Sequence, residues 1–113
     1  GKFLMFENGS REKREIFMSG YSDKKWHIGG RGYLPGNAEI HLRLERSGNQ
    51  FSGYCSADGK SWMLCGKLEF PIDDPVQVGV CAIGMIDRTI YCGEYKEGTA
   101  TVFRNFRLFK GHE

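Results

Sequence analysis

Proline, long apolar runs and an excess of charge of either sign are all scarce in this chain. Its three prolines, at positions 35, 71 and 75, leave long stretches free to pair as strands, since proline removes a ladder donor. No apolar run approaches the roughly 18–20 residues of a membrane-spanning helix, so no membrane partner is expected. The opening "GKFLMFENGS" has no cationic stretch, long apolar run and small-residue cleavage site of a secretory leader, and localisation is left open. Sixteen Lys and Arg against fourteen Asp and Glu give a net charge of +2. That is too little field of one sign to gather a polyanion, and nucleic acid is not an expected partner.

Catalytic signatures are missing as well. There is no Gly-x-Ser-x-Gly elbow, phosphate-binding loop or His-Glu-x-x-His metal motif. The four cysteines, at 55, 65, 81 and 92, match no zinc spacing and are too few for a disulfide scaffold. No metal or cofactor is expected. Helical periodicity is absent too: no eleven-residue window carries apolar residues at i, i+3, i+4 and i+7.

What is present is glycine, 16 residues of 113, about double the usual share of ~7%, with 13% aromatic residues and period-two alternation from end to end. These features predict one domain over residues 1–113, all-β, with strands at 2–7, 14–21, 25–29, 38–46, 50–56, 61–68, 76–84, 89–95 and 99–109. Turn signals fall at Asn8-Gly9-Ser10, "GGRGYLPGN", Ser47-Gly48, Asp58-Gly59, "PIDDP" and the glycines at 93 and 98. Strands so frequent argue an antiparallel β-sandwich or barrel.

Two turns set two registers in the middle of the chain. Treating Ser47-Gly48 as a two-residue turn pairs Leu44 with Phe51, Leu42 with Gly53 and Ile40 with Cys55. Treating Asp58-Gly59 likewise pairs Cys55 with Trp62 and Gly53 with Leu64. One face then holds Ile40, Leu42, Leu44, Phe51, Cys55, Trp62 and Leu64, and should be core. The other holds Glu39, His41, Arg43, Glu45, Ser52, Tyr54, Ser56, Ser61, Met63 and Cys65, so Tyr54 points away from Trp62.

The stretch "IHLRLERSGNQFSGYCSADGKSW" resembles a segment of the concanavalin A-like lectin and glucanase sandwiches, where a Leu-Arg-Leu strand, a glycine turn and a Ser-x-Asp-Gly-x-x-Trp hairpin follow in order. "VQVGVCAIG" is similar to that family's valine- and glycine-bearing strand, and "TATVFRNFRLF" to its closing strand with paired phenylalanines, Phe103 and Phe106. The resemblance covers about residues 38–109. It implies a jelly-roll of two antiparallel sheets, here shortened, in a group whose modules often bind carbohydrate and accompany glycoside hydrolases; fold is implied more firmly than function.

The expected site follows from the polar face. Tyr54 can serve as a platform for the apolar face of a sugar, with Arg43 and His41 donating to its hydroxyls. Trp26 and Tyr33, in the glycine-rich segment 21–37, would add aromatic contacts at the edge. The same residues also suit an ordinary solvated strand face and, at Trp26, a cap on the open end of the core; His27 reads as structural or exposed. Catalysis is not expected. Glycoside hydrolysis needs two carboxyls roughly 5–9.5 Å apart, whereas Glu39 and Glu45 share a face at about 20 Å. An uncovered face or sheet edge leaves a second possibility, a homodimer or protein-interaction module, and a glycoside hydrolase is the third.

The cysteines sort by the same registers. Cys55 and Cys65 fall on opposite faces and should not bond to each other, while Cys81 and Cys92 face one another if 85–88 is a four-residue loop. Asn8-Gly9-Ser10 matches a glycosylation sequon but reads as a turn. The run Arg11, Lys13 and Arg14 is interleaved with glutamates and reads as a solvated edge.

Overall fold

The computed structural model describes residues 2–9, 15–34, 39–72, 77–80 and 103–109. Among them are six strands and no helix: β1 (Phe3–Asn8), β2 (Glu15–Ser22), β3 (Lys25–Tyr33), β4 (His41–Ser47), β5 (Gln50–Ser56) and β6 (Met63–Glu69). They form two antiparallel three-stranded sheets, each a meander in chain order, β1-β2-β3 and β4-β5-β6. The expected all-β class holds.

Each hairpin has a local cause. Between β2 and β3 the turn is Asp23-Lys24, both at positive φ (52° and 61°), the mirror-type geometry whose twist matches that of antiparallel strands. Neither residue is glycine, so the turn signals of the sequence do not mark it. Between β4 and β5 the central pair is Gly48-Asn49, with Gly48 at φ 61° and Ser47 opposite Gln50. The turn is one residue later than predicted, so Leu44 faces Gly53 and Leu42 faces Cys55. A shift of two in the partner preserves which side each residue faces.

The second hairpin departs further. β5 ends at Ser56 and β6 begins at Met63, so Asp58-Gly59 lies within a wide loop and not a two-residue turn. Lower in the ladder Phe51 pairs with Leu68 and Gly53 with Gly66, whereas beyond a β-bulge Tyr54 pairs with Leu64 and Cys55 with Met63. The extra residue is Cys65. A bulge inserts one residue and inverts the side chains beyond it. Trp62 and Leu64 therefore lie on the side of Tyr54, and Cys65 turns inward, the reverse of the predicted sides.

The core lies between the sheets. Ile16 packs with Cys55 and Cys65, and Met18 with Phe51 and Phe70; Phe6 touches both groups. Phe70, Ile16 and Met18 are fully buried, each worth about 1.5–3 kcal/mol. Ile40 packs against this core as predicted, but Leu42 and Leu44 stay 40% and 45% exposed, because the first sheet lies over β6, chiefly through β3 and β2, and β4 is at the edge. Beyond β6, Phe70 N–H donates to the Asn49 carbonyl at 2.7 Å, and Arg46 donates to the Ile72 carbonyl at 3.0 Å.

The sheets touch most closely at glycines. A second bulge, between Met18 and Ser19 in the β2–β3 pairing, sets Met18 opposite Gly30 and Ser19 opposite Ile28, so Gly29 is the extra residue. A Cβ placed on Gly66 would lie 2.8 Å from the Gly29 carbonyl oxygen and 2.9 Å from Gly30 N. One placed on Gly30 would meet the Gly66 Cα at 2.7 Å. The obstacles are backbone atoms, which cannot rotate aside.

Of the other predicted strands, 89–95 lies outside the described residues. The described parts of 76–84 and 99–109 carry no strand. Val78, Val80, Phe103, Phe106, Leu108 and Phe109 are about half exposed or more, and Asn105 sits at φ 58°, a left-handed residue that interrupts an extended run. Alternation proposes a strand, but a paired neighbour makes one. Gly66→Ala should destabilise the protein by about 1–3 kcal/mol through overpacking, read as a lower urea midpoint with unchanged slope; an unchanged midpoint would contradict the close crossing.

Candidate functional site

The outer face of the second sheet, turned away from the core, is built by β4, β5 and the 57–62 loop. Arg43 pairs directly with Tyr54 across the β4–β5 ladder. The Arg43 guanidinium lies 5.9 Å from the Tyr54 ring centre and 5.8 Å from that of Trp62, so one cation is flanked by two aromatic rings. Such contacts contribute about 0.5–1 kcal/mol each where solvent reaches them. Glu45, two residues along the same face, forms an ion pair with Arg43 and limits where the guanidinium can swing. His41 meets Trp62 edge-on at 6.5 Å. Its ring also backs onto the loop, where a Cβ on Gly59 would come within 3.3 Å of it.

The loop that holds Trp62 is fixed by two short side chains. Asp58 Oδ1 accepts from the backbone N–H of Lys60 at 2.8 Å and of Ser61 at 2.9 Å, and from the Ser56 hydroxyl at 2.9 Å. Ser56 Oγ in turn accepts from Gly59 N–H at 2.8 Å and Asp58 N–H at 3.2 Å. These bonds offer the backbone an alternative to the ladder, which is why Asp58-Gly59 forms a wide loop. They favour the charged carboxylate, and the N–H groups of Ser61 and Lys60 above all hold the Asp58 pKa down at about 2.

His41, Arg43 and Tyr54 are thus brought together as predicted. Trp26 and Tyr33 are not with them: both lie on the outer face of the first sheet, across the core. Trp26 packs edge-on against Tyr21 at 5.1 Å and Phe3 at 5.5 Å. Tyr33 sits opposite Glu15 while Trp26 sits opposite Tyr21, a separation of about 20 Å along the strand. His27 stays exposed on the core side, 3.2 Å from Ser22 Oγ and edge-on to Phe70 at 6.4 Å. The predicted register puts Trp62 in the core, whereas the structure gives its ring to the polar face. The signal that could have placed it is the Ser-x-Asp pair, Ser56 and Asp58, whose local hydrogen bonds oppose a tight turn.

Glu45 is engaged by Arg43, and Glu39 pairs separately with Arg104 at 3.0 Å. No cluster of three or more metal-ligating side chains occurs among the described residues. No helix among them is long and apolar enough to cross a membrane. Two rings, a guanidinium and an imidazole on a shallow strand face can stack on an apolar surface and donate hydrogen bonds at its rim. Comparisons with family models, with curated proteins and with solved structures return no match.

The depressed Asp58 pKa ties the loop to pH. A carboxylate lowered in the folded state stabilises above its unfolded value near 3.9 and loses that contribution as pH falls toward about 2. Asp58→Ala should therefore lower the melting temperature at pH 6, and the gap to the parent protein should close between about pH 4 and pH 2. A gap that stays constant across this range would contradict the assignment.

Proposed function

We propose that this chain is a non-catalytic carbohydrate-binding module with a shortened concanavalin A-like sandwich fold. The fold part of this reading is supported by two antiparallel sheets around one core and by the sequence motifs between residues 40 and 62. The function part is carried by one observation, the Arg43 guanidinium set between Tyr54 and Trp62. A pyranose has an apolar C–H face that lies on such rings, and its edge hydroxyls accept from Arg43 and either donate to or accept from His41. Glu45 holds the guanidinium in place as a positioning residue. Among the described residues the carboxylates nearest the site are engaged, Glu45 by Arg43 and Asp58 by the N–H groups of Lys60 and Ser61, and no acid–base pair for hydrolysis is assigned.

A glycan array followed by titration of the tightest oligosaccharide tests this reading. Tyr54→Ala, Trp62→Ala and Arg43→Ala should each weaken binding about tenfold, the effect of losing one stacking or charge-assisted contact, with the melting curve preserved. Failure of every glycan to bind, or affinity unchanged from the parent in all three variants, overturns it.

A second reading is favoured by the outer face of the first sheet. There Phe3, Trp26 and Ile28 are 42%, 50% and 62% exposed. An apolar face of this kind suits a second copy of the chain, the homodimer of the alternative reading. Light scattering at rising concentration should then approach twice the monomer mass, and Ile28→Lys should keep the monomer. A monomer at every concentration removes this reading.

A further inference from the structure

The β-bulge that turns Trp62 outward turns Cys65 inward, against Cys55. Their sulfur atoms lie 2.9 Å apart in the interior, with Cys55 fully buried and Cys65 nearly so. Cys55 sits on β5 opposite Met63, and Cys65 is the extra residue of the bulge on β6, so the two side chains converge across neighbouring strands. They are packed with Ile16, Phe6 and Ile40. Cys65 also donates weakly to the Met63 carbonyl at 3.6 Å. In this apolar setting burial foremost, then the neighbouring Cys55, pushes the Cys65 thiol up to about 12. Two neutral thiols at this separation gain little from each other, because S–H is a weak donor, while a covalent bond between them removes both polar groups.

We infer that Cys55 and Cys65 form a cross-strand disulfide when the chain folds in the presence of a disulfide oxidant such as oxidised glutathione. One cysteine thiolate attacks the glutathione disulfide, giving a mixed disulfide and one reduced glutathione. The second thiolate then attacks the protein-bound sulfur and expels the other glutathione. The two protons lost by the cysteines end on the two glutathione thiols, and the two electrons reduce one glutathione disulfide. Exchange takes place before the sheets close, since the folded core shields both sulfurs. The bond closes the loop from 55 to 65 and secures the bulge. It lies outside the sugar-binding proposal and stands or falls without it.

Trypsin cleavage after Arg46, Lys60 and Lys67 puts Cys55 in peptide 47–60 and Cys65 in peptide 61–67, while Cys81 and Cys92 fall in two others. Protein refolded with oxidised and reduced glutathione, alkylated and digested without reductant, should yield 47–60 joined to 61–67. Its melting temperature should fall by about 10 °C on reduction, as expected for opening a loop of this size. In Cys55→Ala/Cys65→Ala the reductant-dependent shift should vanish. Recovery of both peptides alkylated, or of either joined to the Cys81 or Cys92 peptide, overturns the inference. That peptide map on the parent protein decides the matter even if the double variant does not fold.

Discussion

The close crossing of β3 over β6 is the constraint on which the molecule turns. Sheets ordinarily stack about 10 Å apart, yet here backbone meets backbone at Gly29 and Gly30 on one side and Cys65 and Gly66 on the other. Both strands carry a bulge at this point, Gly29 in β3 and Cys65 in β6. Bulges bend a strand and increase its twist, which lets two sheets converge at one corner while their side chains fill the space elsewhere. Phe6, Met18, Phe51 and Phe70 pack together between the sheets.

From the crossing the two outer faces take their characters. On the second sheet the bulge delivers Trp62 beside Arg43 and Tyr54, and the surface becomes aromatic with charge at its centre. The first sheet has its aromatic row, Phe3, Tyr21 and Trp26, at one end, with Arg31 over Phe17 and near Glu15 at the other. Glu7 lies on that same face, where burial foremost and then the charge of Glu15 raise its pKa. One face is organised around a cation and the other around an apolar cluster.

Much of this was legible in the sequence, and the rest failed for identifiable reasons. Alternation gave the class and the six described strands to within a few residues, and the sides of β4 and β5 survived a misplaced turn because the error was an even number. His41, Arg43 and Tyr54 were accordingly placed together. The side of Trp62 was not legible, because an odd insertion leaves no trace in alternation: "SWMLCGKL" reads equally well with or without a bulge at Cys65. The aromatic segment 21–37 announced a binding edge, but partners across the ladder, Tyr21 for Trp26 and Glu15 for Tyr33, separate its two rings. Near the end of the chain, the apolar pattern around Phe103 and Phe106 suggested a strand that a left-handed Asn105 interrupts.

The two meanders occupy consecutive stretches, 3–33 and 41–69, and neither borrows a strand from the other. Every ladder among the described residues therefore joins strands that follow one another in the chain, at small entropic cost. The remote contacts are those between layers, such as Ile16 with Cys55 and Met18 with Phe51. Such separations in sequence slow folding, so the rate should be set by two ready-made hairpin assemblies finding one another and not by strand pairing itself.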